Sequence, residues 1–257
     1  STVIFVAVLV VETSLARSSE AKAGALHPVV VDFIDGNALR RGTGEGIFSN
    51  LKKGDAISPE VRVFCRKTAR LALRDGPRRL RFLAGAIFTS KTDALFLWEG
   101  AFLLDQRDKQ VLKSPPFILT GPEVEVACSG RGTLLGEVLT SGGMKLIGLT
   151  GSFRLERPGT ETSIWLRPGE LRFLKPYGRG FGEVVHLNLE TLVSTAALVH
   201  EFSNEPSLKA ELAKVTSEQR PLVIKRYRAQ VGDSRTTETF ELQPLPERVK
   251  GSRPDRH

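Results

Sequence analysis

Two cysteines, one methionine, two tryptophans and two tyrosines among 257 residues leave little room for several kinds of chemistry. So few cysteines exclude a disulfide-dense scaffold and a structural zinc site. The four histidines, His27, His186, His200 and His257, form neither an HExxH nor a pair at i, i+4, so the local sequence announces no metal site and no triad. There is no Gly-x-Ser-x-Gly elbow and no Walker loop. Gly178-Arg179-Gly180-Phe181-Gly182-Glu183-Val184 imitates a kinase glycine loop but lacks one residue between its second glycine and the aromatic. No Val-Ala-Ile-Lys, His-Arg-Asp or Asp-Phe-Gly accompanies it, and it reads as a flexible joint. Long apolar runs are also missing. The nine residues Val3 to Val11 fall short of the ~20 that a membrane-crossing helix needs. They have the size of a secretory h-region, the rival being a buried first strand of β-forming Val and Ile, so residues 1–25 are expected to be a signal-peptide-like leader and the chain to be periplasmic or extracellular. No transmembrane span, metal or cofactor is expected, and the chain is not expected to be an enzyme.

What is present is apolar content of 40%, enough to bury a core, and a formal net charge of +8. That charge favours anionic partners. From Pro28 onward the apolar residues alternate with polar ones over short runs broken by Gly, Asn and Asp, the mark of strands and turns. Pro28 to Ile34 reads as an edge or entry strand. Ala69, Leu71 and Leu73 alternate with Arg70 and Arg74, and Leu80 and Phe82 with Arg79 and Arg81, on either side of Asp75-Gly76. This predicts a hairpin, with a loop longer than two residues because Pro77 removes a ladder donor. Gly85, Gly100 and Gly151, each beside a small residue and an apolar one, are expected to mark turns that bring in new strands. Gly142-Gly143 reads as a hairpin tip and Pro168-Gly169 as the close of the β region.

Beyond Gly182 the period changes from two to between three and four. Leu189, Leu192, Val193, Ala196, Ala197 and Val199 predict a helix over 187–202, and Leu208 and Leu212 a second from Pro206 to between Val215 and Gln219, with the break near Asn204. Leu222-Val223-Ile224 looks like a short strand, and the charged, proline-bearing residues 236–257 like a flexible tail. The expected organisation is therefore a leader (1–25), a β domain (26–176), a helical segment with a short strand (177–235) and a tail (236–257).

Two sets of residues are candidates for function. Arg62, Arg66, Arg70, Arg74, Arg79 and Arg81 all take the phase opposite to the apolar residues around them, which predicts a basic patch on one outer sheet face, suited to carboxylate or phosphate oxygens. Phe64 shares that phase, but one aromatic is short of the interleaved pattern of nucleic-acid binders, and no nucleic acid is expected. Cys65 and Cys128 each stand in phase with two valines (Val61 and Val63; Val124 and Val126), so both are expected to point inward, either paired across the core or as two buried thiols. Glu123 and Glu125 share a face of their own, expected to be solvated.

The turn signals come in a definite order: Leu51-Lys52-Lys53-Gly54-Asp55, then Leu71-Ala72-Leu73-Arg74-Asp75-Gly76, then Gly132-Thr133, and finally Pro168-Gly169-Glu170. In that order they resemble the FecR domain family over about Asp32 to Pro176. The resemblance implies a mainly β, sandwich-like or solenoid-like domain, here followed by a small C-terminal helical segment. It implies a non-catalytic module of cell-surface signalling that binds an envelope protein partner. Family members of the sigma-regulator form carry a cytoplasmic regulatory segment and a membrane span ahead of the domain; neither is expected here, so sigma-factor control is not expected. The other reading of the arginines is an extracellular scaffold that binds an acidic glycan or similar polyanion.

Overall fold

Alternation becomes strand after strand from Val29 onward, in a computed structural model that describes residues 28–42, 46–177, 180–202, 205–219, 227–228 and 243–244. The first ten strands are β1 (Val29–Asp35), β2 (Ala38–Arg41), β3 (Phe48–Asn50), β4 (Ala56–Ile57), β5 (Arg62–Cys65), β6 (Arg70–Asp75), β7 (Arg78–Leu83), β8 (Ile87–Lys91), β9 (Ala94–Glu99) and β10 (Ala101–Asp105). A 3₁₀ turn at Lys109–Lys113 then leads to β11 (Phe117–Thr120) and to two long strands, β12 (Glu125–Val138) and β13 (Met144–Glu156). Three short strands follow: β14 (Ser163–Leu166), β15 (Glu170–Leu174) and β16 (Val185–His186). All sixteen belong to one sheet, whose path runs β3-β2-β5-β8-β9-β11-β12-β10-β7-β6-β1-β4, with β13 to β16 branching from β12.

The sheet curls around its own apolar side. Val63 and Cys65 of β5 and Leu71 and Leu73 of β6 lie far apart along that path, yet they share one core with Phe82, Phe88, Phe102 and Phe117. Period two explains this: every second residue of each wall points inward, and each fully buried leucine or phenylalanine stabilises the fold by about 1.5–3 kcal/mol. The protein is mainly β, with a small helical part, as its sequence predicts.

Helices α1 (Leu189–Thr195), α2 (Ala197–His200) and α3 (Pro206–Gln219) carry the change of period. The single helix expected over 187–202 is interrupted at Ala196, whose backbone is extended. Asn188 caps α1, its side chain accepting from the Thr191 N–H at 2.7 Å. The helices lie on the outside of one wall. Leu189, Leu192, Leu198, Leu208 and Leu212 form a second core with Leu103 of β10, Leu135 of β12, Ile147 and Leu149 of β13 and Leu171 of β15.

Several turn expectations are corrected. Asp75 pairs with Arg78, so Gly76 and Pro77 alone make a tight two-residue loop. Gly76 takes a φ of +54°, which such loops require, and the N–H that Pro77 lacks falls in the loop, where the ladder has no use for it. Gly151 is no turn: it sits inside β13, opposite Gly132. Pro168-Gly169 does not close the β region, since β15 and β16 follow. The expected joint is pinned where it is described, the Gly182 N–H donating to the Phe173 carbonyl at 2.7 Å. The expected leader, Leu222 to Ile224, Gly178 and most of the tail lie outside the described residues.

Candidate functional site: an open aromatic face

The sheet has two outer surfaces, and the six arginines are divided between them. Arg70, Arg74, Arg79 and Arg81 lie on the β6–β7 wall, on the side that the helices cover, because Arg81 stands beside Leu103 in the ladder. Arg62 and Arg66 belong to the opposite wall, where Val63 and Cys65 take the inward positions. The single patch expected from phase alone is therefore not formed. Residues of like phase on two strands share a face only when those strands share a wall.

The β6–β7 arginines are engaged. Arg70 pairs with Asp35 and Arg74 with Asp32, both from β1. Glu205, just ahead of α3, reaches Arg79 at 2.8 Å, Arg81 at 2.7 Å and Arg107 at 3.1 Å. Arg81 is only 2% exposed, and its guanidinium also lies 5.2 Å from the ring centre of Phe202. A cleft of about 400 Å³ beside α3, lined by Arg79, Asp105, Arg107 and Glu211 among others, belongs to the same seam. Burial works to lower the pKa of Arg107, but hydrogen bonding to Asp105 and the charges of Asp105, Glu205 and Glu211 outweigh it and hold the guanidinium above its ordinary range. This is how a helical cap is seated on a basic floor. A second cleft of about 590 Å³, which includes His186, lies between the Arg167–Glu170 turn and the other end of α3. There Gln219 ties the helix down, donating to the Leu187 carbonyl at 2.8 Å and accepting from the Leu189 N–H at 3.0 Å.

Among the described residues the opposite wall carries no helix, and aromatic and basic side chains stand at several of its outward positions. Phe64 of β5 meets Phe48 of β3 edge to face, with ring centres 5.3 Å apart. Phe96 and Trp98 of β9 lie 4.3 Å apart, tilted by 40°. Two guanidinium groups complete the surface: Arg62 sits 4.1 Å from the Trp98 ring centre and Arg41 5.7 Å from that of Phe48. Phe48 is 47% and Trp98 40% exposed. Large rings left open to water on one sheet face mark an interaction surface rather than a folding requirement.

The sequence contained a signal for this face that hydropathy hides. Ala94-Leu95-Phe96-Leu97-Trp98 is one apolar run, but its two leucines point inward and its aromatics outward. Only the segregation of aliphatic from aromatic residues at period two distinguishes the sides. Glu123 and Glu125 are exposed, as expected.

Cys65 and Cys128 both point into the core as free thiols, so the cross-core bridge is not formed. Cys65 pairs with Ala38 of β2, whereas Cys128 lies between Phe117 of β11 and Leu155 of β13. Burial pushes the Cys65 thiol up to about 12, and burial likewise raises Cys128, against a small opposing effect of Arg78. Thiolate is the reactive form, so at pH 8 both are expected to be inert to a disulfide reagent in the native protein. In denaturant without reductant, two thiols per chain should react; none reacting there would mean a bridge.

Among the described residues, no three His, Cys, Asp or Glu side chains gather as a metal site, and no helix is long and apolar enough to cross a membrane. The motifs of the sequence take structural roles. Gly54 lies at φ +89° with the Asp55 carboxylate accepting from the Lys52 N–H, and the Glu170 carboxylate accepts from the Arg167 N–H at 3.0 Å. No family model matches the chain, and no curated protein does. Among solved structures, two crystal structures of an anti-sigma factor candidate from Parabacteroides distasonis ATCC 8503, at 1.65 and 2.50 Å, are similar. Each is 15% identical and aligns with 66% of this chain and 94% or 95% of its own, with TM-scores of 0.37 and 0.35.

Proposed function

We propose that this chain is a non-catalytic binding module of an exported envelope protein, and that it engages a protein partner in cell-surface signalling through the open face of β3, β2, β5, β8 and β9. One observation carries the reading: among the described residues one wall presents an outward cluster of four aromatic rings, two of them (Phe48 and Trp98) exposed, with two exposed arginines over them, while the other wall is closed by its own helices. The export part rests on the apolar run Val3 to Val11 and the signalling part on the order of the turn motifs. A polyanion reading has lost most of its support, because four of its six arginines already face carboxylates or the helical cap.

A pull-down from envelope extract with the full chain as bait, washed at low and then high salt, tests this. The wild type and Arg74→Ala should retain the same protein at high salt. Trp98→Ser should lose it by about thirtyfold or more, the scale of an aromatic hot spot. Equal retention by Trp98→Ser would refute the face, and capture of polyanionic material alone, released by salt, would restore the arginine reading.

A further inference from the structure

We infer that the partner contributes an extended acidic segment that adds to β3 as a further strand of the sheet. This deepens the reading of the open face and rests on it. β3 ends the sheet's path, and all three of its residues are exposed. Its hydrogen-bonding sense is fixed by the Leu51 N–H, which donates to the Ala38 carbonyl of β2 at 2.9 Å, and by the pairing of Ser49 with Arg40. In an antiparallel ladder successive residues turn their backbone groups to opposite sides, so Phe48 and Asn50 direct an N–H and a C=O each away from β2, toward the open edge. Natural edges are guarded by charge, proline or a bulge. Ile47-Phe48-Ser49-Asn50 has no charged residue and no proline, and Ile47 is 74% exposed. At the other end of the path β4 is only two residues long, with Lys52, Lys53 and Asp55 ahead of it.

The charge of the incoming segment follows from the neighbouring strands. Arg41 of β2 and Arg62 of β5 stand directly opposite one another in register and on the same outward side. Like charges so placed repel. Among the described residues neither has a carboxylate partner; each guanidinium lies instead over an aromatic ring. A carboxylate from an added strand would lie about two strand spacings from β2, within reach of Arg41, whose guanidinium leans over Phe48 of β3, and neutralising Arg41 would relieve its repulsion with Arg62. Free polyanions satisfy the arginines equally well, but they leave the two outward N–H and two outward C=O groups of β3 without the alternating acceptors and donors that a peptide backbone supplies.

The test is selection of a random dodecapeptide phage library against the full chain, followed by affinity measurements on synthetic peptides. The enriched peptides should be acidic and rich in β-branched residues, and should bind at least tenfold more weakly to Asn50→Pro and to Arg41→Glu. Asn50→Pro removes an outward N–H and leaves the ladder to β2 intact. If that variant melts early, Phe48→Lys, which guards the edge without touching the backbone, takes its place. No enrichment, enrichment of neutral or basic peptides, or equal binding to the edge variants would overturn the inference. Peptides lost on Trp98→Ser but indifferent to Asn50→Pro would sink strand addition and keep the open face; peptides indifferent to both would sink both.

Discussion

Replacing Gly151 by alanine should lower the melting temperature by about 8–16 °C or leave the chain unable to fold. The β-carbon would fall 1.9 Å from the Arg131 carbonyl oxygen, and Gly151 has a φ of +65°. Its partner Gly132, at φ +151°, offers no room to retreat, since a β-carbon there would lie 2.1 Å from the Thr150 carbonyl oxygen. Both obstacles are backbone in a continuous ladder, so no side-chain rotation relieves them. The left-handed conformation costs a non-glycine residue about 1–2 kcal/mol, and overpacking adds about 1–3 kcal/mol or more. A total near 4 kcal/mol, at about 2–4 °C per kcal/mol for a chain of this size, gives the stated shift. A thermal melt followed by far-UV circular dichroism measures it. Gly46→Ala is the control: nothing lies within 4 Å of its added carbon, and its melt should be unchanged. An ordinary melt for Gly151→Ala would mean that β12 and β13 do not cross so closely.

The second large effect belongs to Arg78, which is 1% exposed and joins three separate pieces of chain. Its Nε donates to Gln106 Oε1 at 2.8 Å, one Nη pairs with Asp93 in the β8–β9 turn, and the other donates to the Pro115 carbonyl. The guanidinium also lies 5.4 Å from the ring centre of Phe117. Beside it the Asp75 carboxylate accepts from the Asp93 N–H at 2.9 Å. Arg78→Met keeps most of the volume and removes every donor, leaving Gln106 and the Pro115 carbonyl without that partner. Loss of one member of a buried pair costs about 3–5 kcal/mol. Asp93 is partly exposed and can take up water, so the expected loss is near 3 kcal/mol, read as a lowered urea midpoint. Arg78→Lys should recover only part of it, because an ammonium cannot serve three acceptors in a fork. Arg74→Ala, at an exposed pair with Asp32, should cost under about 1 kcal/mol. Equal midpoints for the Met variant and the wild type would show that Arg78 holds nothing together.

Local patterns in the sequence were enough to place β1, the β6–β7 hairpin, the Gly142-Gly143 tip, the inward valines and cysteines, and both helical stretches, because period and turn chemistry are local properties. Four things were beyond them. Pro77 in a tight loop depends on which N–H groups the ladder needs, and that is known only once Asp75 and Arg78 are paired. Gly151 looked like Gly85 and Gly100 because all three have small and apolar neighbours, but its role comes from Gly132, nineteen positions earlier and opposite it in the ladder. The arginine patch failed for a reason of distance: Glu205, which reaches Arg79 across 126 positions of sequence, belongs to a helical cap whose seat on the sheet no local pattern encodes. The open face was missed because hydropathy treats Leu97 and Trp98 alike, although one fills the core and the other meets water.

The placement of the two tryptophans also decides what light can report. Trp98 and Trp165 are the chain's only indoles, 40% and 53% exposed, and both point away from the main core. The native protein should therefore already emit like a hydrated indole, and unfolding should change its fluorescence little. Whatever settles over Trp98 and displaces Arg62 from its ring will dry the indole and alter its emission. Intrinsic fluorescence is thus a poor gauge of this fold and a direct gauge of the occupancy of its open face.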